Sequence, residues 1–225
     1  MRFITILLSI VSMPAAWSQT AKDANRDYET AEGRARMIAR LESPDRLANL
    51  RPAELVARLQ IQPGSTVADL GTGTGTLLKD LSLAVGPKGR VIAEDIHQDF
   101  LDRARKHAAS LGLNNINFLL GTEVDPRLPP SSADLVLVVD AYHHFEHPER
   151  MLAAIKHGLR PGGRLAIVEY HKKRGAMEAD PDLALTHIRA GSRQVVREIE
   201  AAGFILLWRR DHAPDRQYIA VFLGP

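Results

Sequence analysis

A glycine-rich turn between an apolar run and a helical pattern constrains this chain more than any other feature. Residues 67–75 read Val-Ala-Asp-Leu-Gly-Thr-Gly-Thr-Gly, and a helical pattern begins at residues 76–81. Glycine adopts positive φ with little strain and lets backbone N–H groups approach a ligand closely. A helix N-terminus in addition favours an anionic group. The stretch therefore predicts a strand, a ligand-binding turn and a helix, as at the start of a parallel α/β sheet.

The spacing of the glycines distinguishes two kinds of nucleotide site. Gly71, Gly73 and Gly75 follow the pattern G-x-G-x-G, whereas a dinucleotide-binding loop would need its third glycine where Thr76 stands. We therefore expect a single nucleoside ligand rather than NAD, with Asp69 facing an amino group of that ligand. The alternative interpretation is a tight strand-to-helix turn that binds nothing.

A second apolar run, residues 89–96, ends in two carboxylates. Asp95 lies 20 residues beyond Gly75, and a carboxylate at the end of the second strand of a βαβ unit can accept both hydroxyls of a ribose. Because adjacent strand residues point to opposite sides, we expect Asp95 to bind the sugar and Glu94 to face away. The alternative is an ordinary solvated acidic pair at a strand end.

With these motifs the chain resembles the class I S-adenosylmethionine-dependent methyltransferases, and most of all the small-molecule group akin to the ubiquinone and menaquinone biosynthesis enzymes. The resemblance covers about residues 50–225, and it rests on five segments in order: 67–75, 90–95, 121–129, 133–140 and 159–168. It implies an α/β fold with a Rossmann-like, doubly wound, seven-stranded sheet, mostly parallel with an antiparallel last strand, and N-terminal helices. It also implies methyl transfer from S-adenosylmethionine to a small-molecule acceptor that the sequence does not identify.

The resemblance places the cofactor at the loops that follow the first four strands. The glycine turn would hold the methionine part, Asp95 the ribose, and Ile96 would pack on the adenine. The family often has an aspartate where Thr122 stands here, so a backbone N–H at this position could serve the adenine instead. The implied cofactor-binding residues are Asp69, Gly71, Thr72, Gly73, Gly75, Asp95, Ile96, Thr122, Glu123 and Asp140.

A histidine loop, residues 140–147, follows the fourth strand and reads Asp-Ala-Tyr-His-His-Phe-Glu-His. We expect no metal site, because His143 and His144 in an extended segment would point apart and no helical pair of histidines completes a ligand set. If the acceptor is a phenol, an enol or an amine, a base would help, and the candidates are Tyr142, His143 and His144. The alternative is that these side chains only pack the loop.

The first 18 residues predict a signal peptide. Arg2 precedes an apolar stretch over residues 3–13, and small residues allow cleavage after Ser18. A stretch of eleven residues is too short to span a bilayer, so we expect export to the periplasm without a stable membrane anchor. The alternative is a buried helix or a misassigned start site, which would make the protein cytoplasmic. Export would also require S-adenosylmethionine, which is made in the cytosol, to cross the membrane.

The predicted domain organisation is a signal peptide at 1–18, a linker with cap helices at 19–60, and an S-adenosylmethionine-binding domain at 61–225. Residues 20–28 are expected to be a loose linker, followed by helices over 29–42, from Pro44 and from Pro52 to Leu59. The resemblance implies that these helices cover the cofactor. Four arginines here could face an anionic substrate or only solvent: Arg34, Arg36, Arg40 and Arg46.

Composition limits the remaining choices. The 29 basic and 27 acidic residues are interspersed and leave a net charge of +2, so no basic block favours nucleic acid as a partner. The chain has no cysteine, which argues against the arsenite methylation of related enzymes. Two rival functions stay open from the residues alone: a binding protein that keeps the nucleoside pocket without turnover, and an NAD(P)-dependent oxidoreductase.

Overall fold

A seven-stranded sheet forms the centre of the computed structural model, which describes residues 15–177 and 180–224. The strand order is β3-β2-β1-β4-β5-β7-β6. Strand β7 runs antiparallel to both of its neighbours, and the other pairs are parallel. The strands are β1 Thr66–Leu70, β2 Arg90–Asp95, β3 Ile116–Leu120, β4 Ala133–Val139, β5 Leu159–Tyr170, β6 Ile205–Ala213 and β7 Gln217–Leu223. The expected Rossmann-like, doubly wound sheet is thus confirmed.

Helices cover both faces of this sheet, and four of them precede its first strand. Two 3-10 turns, Arg26–Tyr28 and Tyr142–His144, complete the regular structure of the described residues. The helices are α1 Ala15–Asn25, α2 Ala31–Leu41, α3 Pro44–Leu50, α4 Pro52–Arg58, α5 Leu78–Val85, α6 Gln98–Ser110, α7 Pro148–Gly158, α8 Leu183–His187 and α9 Ser192–Ala201.

Alternation along the strands explains why the sheet is buried on both sides. In β4, Val136 and Val138 join the apolar cluster on one face, while Leu135 and Leu137 join the cluster on the other. A sheet buried on both faces gives the loops at its edge a fixed platform. Because β1 lies between β2 and β4, the winding reverses beside β1, and the loops after β1, β2 and β4 meet at one crevice.

The N-terminal region differs from the sequence expectation. Residues 20–28 are not a loose linker, because α1 and a 3-10 turn occupy them. Helix α3 begins as predicted, since Ser43 Oγ accepts a hydrogen bond from the Arg46 N–H at 3.3 Å and Pro44 occupies its first turn. The sequence does not predict helix α8, because the apolar residues of segment 172–191, between β5 and α9, show no clear helical spacing.

The predicted signal peptide lies largely outside the described residues, which begin at Ala15. Helix α1 crosses the expected cleavage point after Ser18. Among the helices of residues 15–177 and 180–224, none combines the length and the apolar character that crossing a bilayer requires.

Candidate functional site

A cavity of about 310 Å³ lies at the carboxyl ends of the parallel strands. Its floor comes from the loops after β1, β2 and β4, and its roof comes from α1, α2, α3 and the 3-10 turn at residues 26–28. The volume falls at the lower end of the range for small-molecule sites. The topology and the N-terminal helices therefore enclose a site of ligand size at the switch point of the sheet.

Two of the three predicted glycines line this cavity in conformations that favour glycine. Gly71 and Gly73 have φ of 70° and 54°. A Cβ on Gly71 would lie 2.9 Å from Ala141 Cβ, and one on Gly73 would lie 3.0 Å from Leu41 Cδ1. Side chains at these positions would narrow the cavity, so the glycines keep its floor open.

Gly75 has a different role from the one expected, because it does not line the cavity. Its φ is 83°, and a Cβ there would lie 2.8 Å from Leu78 Cδ1 and 3.2 Å from Ala104 Cβ. Gly75 thus lets the loop pack closely against α6. In a dinucleotide-binding loop the third glycine likewise allows close packing of a helix, but it lies one residue further along the chain.

Asp95 fastens the glycine loop to the end of β2. Its Oδ2 accepts a hydrogen bond from the Gly73 N–H, and its Oδ1 accepts one from the His97 N–H, both at 3.0 Å. A carboxylate has about four acceptor positions, so two remain for a ligand in the cavity that Asp95 lines. Burial raises the pKa of Asp95 to about 6, although these two hydrogen bonds oppose the shift.

The expectation that Glu94 faces away from the site is wrong. Glu94 is buried and lines the cavity, and its Oε2 accepts a hydrogen bond from the Gly71 N–H at 3.3 Å. Its Oε1 is buried and has no hydrogen-bond partner among the described residues. Burial first and the neighbouring Asp95 second raise the pKa of Glu94 well above its usual value.

Asp69 and Thr72 meet beneath the loop, as the sequence predicts for two residues at one site. The Thr72 hydroxyl donates to Asp69 Oδ2 at 2.7 Å, and both residues line the cavity. Burial raises the pKa of Asp69 to about 6 against the effect of that hydrogen bond. The floor therefore holds three buried carboxylates, Asp69, Glu94 and Asp95, and favours a ligand with positive charge or hydroxyl donors.

The loops after β2 and β3 contribute only part of their expected contacts. Ile96 and Glu123 line the cavity. Thr122 does not, because its N–H and its hydroxyl both donate to the carbonyl oxygen of Asp125, at 2.8 and 3.0 Å. The expectation that Thr122 lies at a ligand edge, through its side chain or its N–H, is therefore wrong for this structure.

Asp140 lines the cavity at the end of β4 and is already paired. Its Oδ2 accepts from Arg46 Nη1 at 2.9 Å, and its Oδ1 accepts from Gln217 Nε2 at 2.7 Å. Arg34 forms a similar pair with Asp99 at 2.6 Å. Both arginines line the cavity, whereas Arg36 and Arg40 are exposed. Two of the four N-terminal arginines thus face the site, each with a carboxylate partner.

Of the three predicted base candidates, only His144 reaches the cavity. Tyr142 is a core residue whose hydroxyl lies 3.1 Å from Glu198 Oε2. His143 is buried, with Nδ1 2.7 Å from Glu169 Oε2. Burial first, and then His143 and His187, lower the pKa of His144 well below its usual value. His144 is therefore a neutral imidazole near pH 7.

The two adjacent histidines do not point apart. They lie in a 3-10 turn rather than in extended backbone, and their ring centroids are 4.1 Å apart. The His187 ring joins them at 4.9 Å from His143 and 5.5 Å from His144. The geometric reason for expecting no ligand set in this loop is therefore wrong.

Sequence reasoning missed the residues that close the cavity from the N-terminal side. Tyr28 stacks on His97 at 6.0 Å between ring centroids and contacts His144 edge-on at 5.0 Å. Burial raises the pKa of this tyrosine to about 12. Asn25 binds the ring of His144, with 2.7 Å between Oδ1 and Nδ1. Both residues fall in the segment expected to be a linker, where no periodic signal marked them.

The fold and the position of this cavity are typical of an α/β protein of the methyltransferase type. Residues 61–203 match the model of a family described as methyltransferase domains. The chain belongs to that family, within the class I S-adenosylmethionine-dependent methyltransferases and near the UbiE type.

Similar proteins agree with this assignment. The ubiquinone/menaquinone biosynthesis C-methyltransferase UbiE of Pseudomonas fluorescens is 30% identical over 118 residues, which are 52% of this chain and 46% of the relative. A solved S-adenosylmethionine-dependent methyltransferase from Aquifex aeolicus has a TM-score of 0.76 at 25% identity, over 84% of this chain and 97% of the other. The matched part of the chain spans about half the length of the curated relatives.

The fold alone does not determine the reaction. The cyclase SpnF shares it with a TM-score of 0.65 at 19% identity, over 78% of this chain and 80% of that one. Its name describes a reaction other than methyl transfer. The function of this chain must therefore be argued from its own site.

The buried Asp69 carboxyl generates a prediction about stability and pH. Its pKa is about 6 in the folded chain against an ordinary value of 3.8. Its contribution to stability is therefore fully present below about pH 4 and is lost as the pH rises through about 6. Asp69→Asn keeps an acceptor for Thr72 and cannot ionise, so between pH 4 and pH 7 it should gain about 2–3 kcal/mol relative to the wild type.

Urea unfolding of both proteins across this pH range measures the difference in free energy. A difference between Asp69→Asn and the wild type that stays constant from pH 4 to pH 7 would contradict the buried position of this carboxyl.

Proposed function

We propose that this protein transfers a methyl group from S-adenosylmethionine to a neutral, ring-containing small molecule such as a phenol or a quinol. The observation that carries the proposal is the cavity beside Gly71 and Gly73, with buried carboxylates of Asp69 and Asp95 on its floor. When bound, the cofactor supplies an electrophilic methyl group on a positively charged sulfur. Catalysis then depends mainly on holding the nucleophile in line, which can lower the barrier by about 7–11 kcal/mol.

The residues of this chain fit such a cofactor. Asp95 has two free acceptor positions for a ribose diol. Asp69 can accept from an amino group. Burial raises the pKa of each of these acids, and neighbouring carboxylates raise those of Glu94 and Asp95 further. A ligand that carries positive charge would therefore be stabilised here.

The acceptor class follows from the charge and shape of the roof. Arg34 and Arg46 are each paired with a carboxylate, so neither offers an uncompensated charge to a strongly anionic acceptor. Tyr28, Phe145 and Leu50 give the cavity aromatic and aliphatic walls. A neutral ring compound matches this lining, and relatives that act in ubiquinone and menaquinone biosynthesis support the same class. We propose that His144 faces this acceptor and takes its proton.

A calorimetric titration with S-adenosylhomocysteine tests the cofactor assignment. Asp95→Ala removes the proposed ribose acceptor and frees the loop N–H groups, so the affinity should fall about 10–100-fold, as expected for hydrogen bonds to a charged group. Asp102→Ala is the matched control, because Asp102 is an exposed residue of α6. Equal affinity of the two variants would count against the ribose assignment, and tighter binding of NADH than of S-adenosylhomocysteine would count against the cofactor.

Turnover of phenolic and quinol acceptors tests the role of His144. His144→Gln keeps a polar side chain beside Asn25 but removes the base, so kcat should fall about 10²–10⁴-fold while the affinity for S-adenosylhomocysteine stays close to that of the wild type. His147→Gln, at an exposed position of the same loop, is the control. An undiminished kcat in His144→Gln would show that this histidine only packs the loop.

We also propose that the chain is exported to the periplasm, since the apolar stretch of residues 3–13 and the small residues before Gln19 fit a cleaved signal. Cleavage after Ser18 would leave Asn25 and Tyr28, which close the cavity, on the mature chain. N-terminal sequencing of protein from the periplasmic fraction should therefore begin at Gln19. Recovery of the chain only from the cytosol with Met1 intact would contradict export and would leave the proposed reaction unaffected.

A further inference from the structure

Three histidines form a cluster next to the cavity that the proposed reaction does not use in full. One ring nitrogen from each of His143, His144 and His187 lies within 4.8 Å of the corresponding nitrogens of the other two. His143 is buried and the other two are partly buried. The cluster joins two parts of the chain, because the first two residues follow β4 and His187 ends α8.

The hydrogen bonds around the cluster fix which nitrogen of His144 carries a proton. Asn25 Nδ2 donates to the His144 carbonyl oxygen and to Glu146 Oε1, both at 3.0 Å, and both partners are acceptors. The amide of Asn25 is thereby oriented, so its Oδ1 is the acceptor that faces His144 Nδ1 at 2.7 Å. His144 therefore holds its proton on Nδ1, and Nε2 keeps a lone pair.

The same reasoning applies to His143. Glu169 is buried, and its Oε2 accepts the backbone N–H of His143 at 3.2 Å and lies 2.7 Å from its Nδ1. A carboxylate beside Nδ1 keeps the proton there and leaves Nε2 as a lone pair. A histidine that donates one ring N–H to a carboxylate or an amide oxygen, with the other nitrogen free, is the arrangement found at protein-bound metal ions.

We infer that His143, His144 and His187 form a three-histidine site for a divalent transition-metal ion, with Zn²⁺ as the ion it fits best. Three imidazoles suit Zn²⁺, and a fourth position stays open for water or for a ligand in the cavity. Ligand nitrogens in a tetrahedral zinc site are roughly 3.3 Å apart, so ring nitrogens that lie within 4.8 Å of one another would have to approach by up to about 1.5 Å on binding an ion.

The electrostatic surroundings agree with this site. Glu169 and Glu146 supply negative charge through their contacts with His143 and Asn25.

The metal site and the proposed base role of His144 exclude each other at a single nitrogen atom. Nε2 of His144 can serve as a base or as a metal ligand, but one lone pair cannot do both at once. Metal binding would occupy this lone pair, so His144 could not then take the proton of an acceptor. The absence of metal binding would leave His144 available as the base, so failure of the two proposals is distinguishable.

Titration of the full chain, stripped with a chelator, tests the inference directly. Calorimetry with Zn²⁺ alone should give one ion per chain, and Co²⁺ should give the visible absorption of a four-coordinate site. His187→Ala should lower the Zn²⁺ affinity more than about 100-fold, and Asn25→Ala about 10–100-fold. His147→Ala is the matched control, because His147 lies in the same loop and its side chain is 49% exposed.

Circular dichroism checks that each variant folds, and His187→Gln replaces His187→Ala if the latter does not. Loss of metal from His187→Ala or His187→Gln, with retention in His147→Ala, supports the site. The inference is overturned if the wild type binds no Zn²⁺, or if the variants at position 187 bind it as tightly as the wild type does.

Discussion

The contact between the Asp95 carboxylate and the backbone of Gly73 and His97 is the interaction on which the rest of the site depends. Each oxygen accepts one N–H at 3.0 Å, so a single side chain ties the glycine loop after β1 to the loop after β2. Glu94 makes a similar contact, because its Oε2 accepts a hydrogen bond from the Gly71 N–H. These acids hold the loop in positive-φ conformations that leave space for a ligand, and in doing so they become buried negative charges.

The burial of those charges connects the fold with the proposed reaction. Asp69, Glu94 and Asp95 lie together under a roof closed by Tyr28, and burial raises the pKa of all three. A buried carboxylate is stabilised by a partner with positive charge or with hydroxyl donors. S-adenosylmethionine offers a sulfonium, an ammonium and a ribose diol. The electrostatics of the floor therefore favour this nucleoside over a dinucleotide with a negatively charged pyrophosphate.

The sheet and the floor of the site could be predicted from the sequence because their signals are local. Apolar runs, glycine spacing and carboxylates at strand ends all lie within a few residues of the feature they describe. The roof could not be predicted in this way. The linker interpretation of residues 20–28 failed because Asn25 and Tyr28 are placed by contacts with His144 and His97, far along the chain. The predicted ligand contact of Thr122 was wrong because the N–H and the hydroxyl of this residue are both bound to the Asp125 carbonyl oxygen.

The contact among the three histidines also could not be predicted from the sequence. Alternation of side chains applies to extended backbone, whereas residues 142–144 form a 3-10 turn that brings adjacent rings together. His187 joins them from α8, a helix of five residues in a segment without periodicity. No spacing in the sequence relates these residues, so only the folded chain reveals their proximity.

A crystal structure of the chain with S-adenosylhomocysteine tests the central claim most directly. The account predicts that both ribose hydroxyls lie within hydrogen-bond distance of the Asp95 carboxylate and that the amino-acid part of the ligand lies against Gly71 and Gly73. A complex with the ribose elsewhere, or a cavity found to be filled by the side chains of its roof, would contradict it.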